Sequence, residues 1–63
     1  MNTQQKAEAY NSYLRQHDKL EEKISDIKSE AAGMELNTEQ RAEIQKLEVQ
    51  KAQIVEEVRK LFN

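Results

Sequence analysis

The chain has 63 residues, a formal net charge of −2 and no cysteine, which rules out disulfides and thiolate metal sites. A chain this short forms at most one domain, and it buries only about 60% of the surface that its unfolded form exposes. Charged residues make up 35% of the sequence with the two signs nearly balanced, which argues against a strongly basic nucleic-acid binder and against an acidic mimic of DNA.

No apolar run approaches the roughly 18 residues of a membrane span, and the first residues lead into no signal-peptide core. The lack of cysteine fits a reducing compartment. We therefore expect a soluble, cytoplasmic protein that does not contact a membrane.

The first predicted helix covers about residues 3–32. Asn2 can cap it, with Gln5 three residues on as the reciprocal partner of a capping box. Behind this start the apolar residues follow a heptad spacing. One core position holds Tyr10, His17, Ile24 and Ala31, the other holds Tyr13, Leu20, Ile27 and Met34, and Ala7 and Leu14 widen the stripe.

A break follows the first helix. Gly33 is the only glycine, and the sequence has no proline. Gly33 is the natural C′ residue of the first helix, because glycine adopts a left-handed backbone at no steric cost. A turn over about 33–37 is therefore expected.

The second predicted helix covers about residues 38–62, with Asn37 as its cap and Gln40 as the partner in a second capping box. The heptad spacing continues through Ile44, Lys51 and Val58 at one core position and Leu47, Ile54 and Leu61 at the other, with Val55 and Phe62 widening the stripe.

Two such seams on consecutive helices predict an all-α fold, an antiparallel two-helix coiled-coil hairpin with left-handed supercoiling. The turn would place Ile27 opposite Ile44 and Ile24 opposite Leu47. Each stripe is wider than a strict two-position seam, so we expect two hairpins to pair into a homodimeric four-helix bundle. The expected oligomer interface comprises Tyr10, Tyr13, Leu14, His17, Leu20, Ile24, Ile27, Ile44, Leu47, Lys51, Ile54, Val55, Val58, Leu61 and Phe62.

No arrangement of residues fits a catalytic site, so we expect no enzymatic activity and no cofactor. His17 and Glu21, one turn apart, could supply two metal ligands, and a dimer could supply four. Structural zinc sites usually use cysteine or several closely spaced histidines. We therefore expect His17 to be a polar residue at the edge of the core and expect no metal site.

Lys51 interrupts an otherwise apolar seam, and two interpretations are open. It can fix the register or the oligomeric state, or its long stem can pass the seam to reach Glu48 or water. Tyr10 and Tyr13 are most simply core aromatics. Alternatively, they could stack on RNA bases with help from Lys6 and Arg15.

The segment His17-Asp18-Lys19-Leu20-Glu21-Glu22-Lys23-Ile24 resembles a His-x-x-Leu-acid-x-x-Ile segment of the small YdcH-like bacterial proteins. Glu43-Ile44, Leu47, Lys51, Ile54 and Glu56-Glu57-Val58 follow the second-helix pattern of that family. The resemblance implies a helical hairpin and no known mechanism. The overall plan also resembles the Rop-like plasmid regulators, which are paired hairpins that bind RNA.

The sequence therefore favours a non-enzymatic interaction or regulatory protein, a homodimer that presents charged outer faces to an unidentified protein partner. The alternative is a nucleic-acid-binding helical bundle of the Rop-like kind, and a third possibility is a purely structural oligomerisation element. Interleaved charges on the first helix disfavour phosphate binding, so contact with nucleic acid is not the expectation.

Overall fold

The computed structural model describes residues 2–63. It contains two α-helices, α1 (Thr3–Glu30) and α2 (Thr38–Leu61), and the described residues form no strand. The helices pack against each other as a hairpin that measures 47 × 15 × 12 Å. The predicted all-α helical hairpin is confirmed.

Both helices begin as their capping signals predict. The side chain of Asn2 accepts a hydrogen bond from the Gln5 backbone N–H at 2.8 Å, and Gln5 Oε1 accepts one from the Asn2 N–H at 3.2 Å. At the start of α2 the corresponding distances between Asn37 and Gln40 are 2.7 and 2.9 Å. Each box satisfies N–H groups that have no partner inside the helix.

The end of α1 differs from the prediction. The last helical residue is Glu30 and the C-cap is Ala31, so C′ is Ala32 rather than Gly33. Ala32 has a φ of +51° and Gly33 a φ of +81°. The Ala31 carbonyl accepts a hydrogen bond from the Met34 N–H at 2.9 Å, which closes a turn over these two left-handed residues. The reversal therefore needs two residues with positive φ, and only the second is glycine.

The earlier end of α1 also removes Met34 from the seam. Met34 follows the turn and is 79% exposed, because no helix remains there to direct its side chain towards α2. Leu36, in the short segment before α2, is half-buried. Of these two apolar residues at the turn end, Leu36 is thus the one that is partly covered.

The core between the helices is thin. Ile24 and Leu47 are the only residues below a tenth exposed in the described chain, at 5% and 4%. Heptad-spaced residues on both sides of them are half-buried: Tyr13, His17, Leu20, Ile27 and Ala31 in or next to α1, and Ile44, Lys51, Ile54, Val58 and Leu61 in α2. The heptad pattern thus identifies the inward positions, but most of them stay partly exposed.

The turn gives a stability prediction. Ala32→Gly should raise the free energy of unfolding by roughly 0.5–1 kcal/mol, because a left-handed backbone is costly for alanine and not for glycine. The matched control Ala31→Gly should lower it by at least a similar amount, since Ala31 has a right-handed φ of −69°, where glycine adds chain entropy, and the substitution also removes a half-buried methyl group. Urea unfolding at one fixed protein concentration measures both. Destabilisation by Ala32→Gly would contradict this description of the turn.

Candidate interaction surface

Large apolar side chains lie exposed near the open end of the hairpin, where α1 begins and α2 ends. Tyr10 is 37% exposed, Leu14 41%, Val55 49% and Phe62 60%. The rings of Tyr10 and Phe62 meet edge to face, with centroids 5.7 Å apart and planes at 78°. Such a geometry is favourable for aromatic pairs, and it ties the early part of α1 to the end of α2. We call Tyr10, Leu14, Val55 and Phe62 the apolar face.

A shallow groove of about 200 Å³ runs through this face. The side chains that line it come from both helices: Tyr10, Tyr13, Leu14, His17, Ile54, Val55 and Val58. His17 is the only titratable group among them other than the tyrosine hydroxyls. The groove therefore joins the exposed apolar side chains to the half-buried seam in one continuous apolar surface.

Towards the turn, the same flank of the hairpin becomes charged. Leu14 is followed at heptad intervals on α1 by Glu21 and Lys28, and Glu48 precedes Val55 by one heptad on α2. Residues seven apart lie on the same side of a helix in a coiled coil. Glu21, Lys28, Glu48 and Lys51 line a common groove there. One flank is thus apolar at the open end and ionic near the turn.

Lys51 links the two helices within the ionic half. Its side chain is 21% exposed, and its Nζ lies 3.2 Å from Glu21 Oε1 and 3.8 Å from Glu48 Oε2. The stem occupies the seam while the ammonium group reaches the edge, as the second interpretation of Lys51 describes. Contact with Glu48 agrees with that interpretation. The contact with Glu21 crosses between the helices at this register.

The ion pair between Lys51 and Glu21 was missed by the sequence reasoning, which paired Glu21 with His17 as a possible metal ligand. The signal was present, because the predicted pairing of Ile24 with Leu47 also brings Leu20 beside Lys51, one turn further from the reversal, and Glu21 is next to Leu20. In the structure His17 Nε2 lies 3.9 Å from Glu21 Oε1. The same Glu21 oxygen lies closer to Lys51 Nζ, at 3.2 Å. Residues 2–63 hold no group of three histidine, aspartate or glutamate side chains placed to bind a metal ion.

The opposite flank has a different character. A wider groove there has an apolar floor of Tyr13, Leu20 and Ile54 and a polar rim of Gln16, Lys19, Lys23, Gln50, Gln53 and Glu57. Five of the six rim side chains are exposed and Gln50 is half-buried, and covering them would require a hydrogen-bond partner for each. This flank is thus less suited than the apolar face to close packing.

The predicted interface residues fall into two groups. Eleven lie between α1 and α2, buried or half-buried: Tyr13, His17, Leu20, Ile24, Ile27, Ile44, Leu47, Lys51, Ile54, Val58 and Leu61. The other four form the apolar face. The hairpin itself therefore accounts for the first group, and only the second is left substantially uncovered.

No protein-family model matches the chain, and no curated protein or solved structure matches it. The resemblance to the YdcH-like proteins stays an expectation from the sequence. Within the described part of the chain, neither helix has the length and apolar character that crossing a bilayer requires.

The link between Lys51 and Glu21 gives a second prediction. A double-mutant cycle with Glu21→Gln and Lys51→Met should show a favourable coupling of about 0.5 kcal/mol at low salt, because the pair is partly exposed. The coupling should shrink in 1 M salt as the charges are screened. Glu22→Gln is the matched control, since no ion pair of Glu22 occurs within residues 2–63. A coupling that is absent at low salt would contradict the proposed link.

Proposed function

We propose that this chain is a non-enzymatic interaction protein that acts through protein–protein contacts as a homodimer, with two hairpins packed into a four-helix bundle. The observation that carries the proposal is the apolar face. Four large apolar side chains are between 37% and 60% exposed and lie around one groove or in contact with its lining. A hydrophobic surface of this kind is typical of a protein contact.

The amount of exposed surface supports a second copy as the occupant. A compact monomer of 7.4 kDa is expected to expose about 4,200 Å², whereas the hairpin exposes 5099 Å². The excess of about 900 Å² is close to the ~800 Å² that each partner buries in a standard protein interface. One additional hairpin of the same size supplies enough surface to remove that excess.

Self-complementarity also favours a second copy. The apolar face has no formal charge apart from the titratable His17 in its groove, so two copies can approach without bringing like charges together. A homodimer with twofold symmetry uses the same patch on both subunits. Aromatic and aliphatic side chains fit that requirement because apolar side chains of one subunit can pack against the same apolar side chains of the other.

The outer surface that such a dimer leaves free carries both signs of charge. Arg59 pairs with Glu56 at 3.4 Å, and Lys60 with Glu57 at 3.7 Å. These pairs place a carboxylate beside each of these two basic groups, which weakens their attraction for a phosphate backbone. We propose that the dimer presents this mixed surface to a protein partner.

Replacing one residue of the apolar face should separate dimerisation from folding. Val55→Glu places a charge on the apolar face and should raise the dimer dissociation constant at least about tenfold, since losing even one buried valine costs about 1.5 kcal/mol or more. Sedimentation equilibrium across micromolar concentrations measures this constant. Circular dichroism should show the helical content retained when the chain is monomeric.

Val49→Glu is the matched control. Val49 lies on the same helix and is 51% exposed against 49% for Val55, but it borders a different surface with Ala52, Gln53 and Glu56. The control should leave the dissociation constant unchanged. A monomeric wild-type chain, or equal effects of the two substitutions, would overturn the proposal. Salt-sensitive binding of RNA by the wild-type dimer would instead favour the Rop-like alternative.

A further inference from the structure

We infer that the two copies pack with their open ends together, apolar face against apolar face, and not with the open end of one copy beside the turn end of the other. The inference rests on the proposed homodimer and adds its orientation. It follows from the unequal distribution of apolar and ionic side chains along one flank of the hairpin.

The two halves of this flank are well separated. Phe62, the C-cap of α2, and Glu48 occupy the same heptad position two heptads apart, which corresponds to about 21 Å along the helix axis. The hairpin is 47 Å long, so the apolar and ionic halves each take up a substantial part of its length. A partner that reverses direction and overlaps the full length of the hairpin must therefore match unlike halves.

In the reversed arrangement, Phe62 and Tyr10 of each copy lie against the ionic half of the other. The pair between Lys51 and Glu21, with Glu21 54% exposed at its side chain, then loses water without gaining a charged partner. Removing an ion pair from water carries a desolvation penalty that its own attraction repays only in part. The exposed rings, in turn, gain polar neighbours in place of apolar ones.

With the open ends together, Tyr10, Leu14, Val55 and Phe62 meet the same four side chains of the second copy. Apolar surface of one copy is then buried against apolar surface of the other, and removing apolar surface from water in this way is favourable. The ionic half can stay hydrated or meet its own mixed charges. Of the two full-length arrangements, only this one covers the apolar face without placing it against the Lys51 ion pair.

Cysteine labelling can distinguish the two orientations, because the chain has no native cysteine. Asn11→Cys and Ser25→Cys occupy the same heptad position fourteen residues apart, about 21 Å along α1. Both positions are exposed, and Ser25 borders the ionic groove with Glu21 and Lys51. Spin labels on each variant alone, and on an equimolar mixture, give the 11–11, 25–25 and 11–25 distances between copies by pulsed dipolar spectroscopy.

We expect the 11–11 and 25–25 distances between copies both to be shorter than the 11–25 distance. A 25–25 distance longer than the 11–25 distance would show a reversed, staggered pair and would overturn the inferred orientation. A shorter 11–25 distance would overturn the inferred orientation while leaving the homodimer intact. A monomeric mass for the unlabelled wild type would overturn both the homodimer and the orientation. If a label at position 11 weakens association, Gln4→Cys and Asp18→Cys repeat the comparison, because they share that heptad position and are also fourteen residues apart.

Discussion

Two helices that face each other can enclose only the side chains at the two inward heptad positions, and this limit determines the properties of the hairpin. Its consequence is visible in the burial pattern. Ile24 and Leu47 are enclosed, while residues one position to the side, such as Leu14 and Val55, are 41% and 49% exposed. The wider stripe is a property of the sequence that a single pair of helices cannot satisfy.

The helix N-termini and the turn determine which residues lie between the two helices. Capping boxes at Asn2 and Asn37 define where the helices begin, and the left-handed residues Ala32 and Gly33 set where the chain reverses. The Lys51–Glu21 contact then joins the helices at the same register. The capping boxes, the turn and the contact between the helices all agree with the same hairpin. Such agreement between local and tertiary signals is what allows a short sequence to specify one fold.

The sequence predicted the hairpin well because its strongest signals are local. Capping boxes and heptad spacing act within a few residues, so both helix starts and the inward positions of Ile24 and Leu47 could be read directly. The end of α1 could not, because a left-handed alanine at position 32 is normally disfavoured and glycine next to it is the more obvious C′ residue. The contact of Glu21 with Lys51 depends on the exact rotation of each helix, which a pattern gives only approximately.

We propose that the apolar stripe needs a second copy, and the concentration dependence of thermal unfolding of the wild-type chain checks this without any substitution. A protein whose folded state includes association unfolds at a temperature that depends on concentration. We predict a midpoint that rises steadily as the chain is concentrated from low micromolar to near-millimolar levels. A midpoint that stays constant over that range, with a folded mass of 7.4 kDa, would show that the hairpin folds without a second copy.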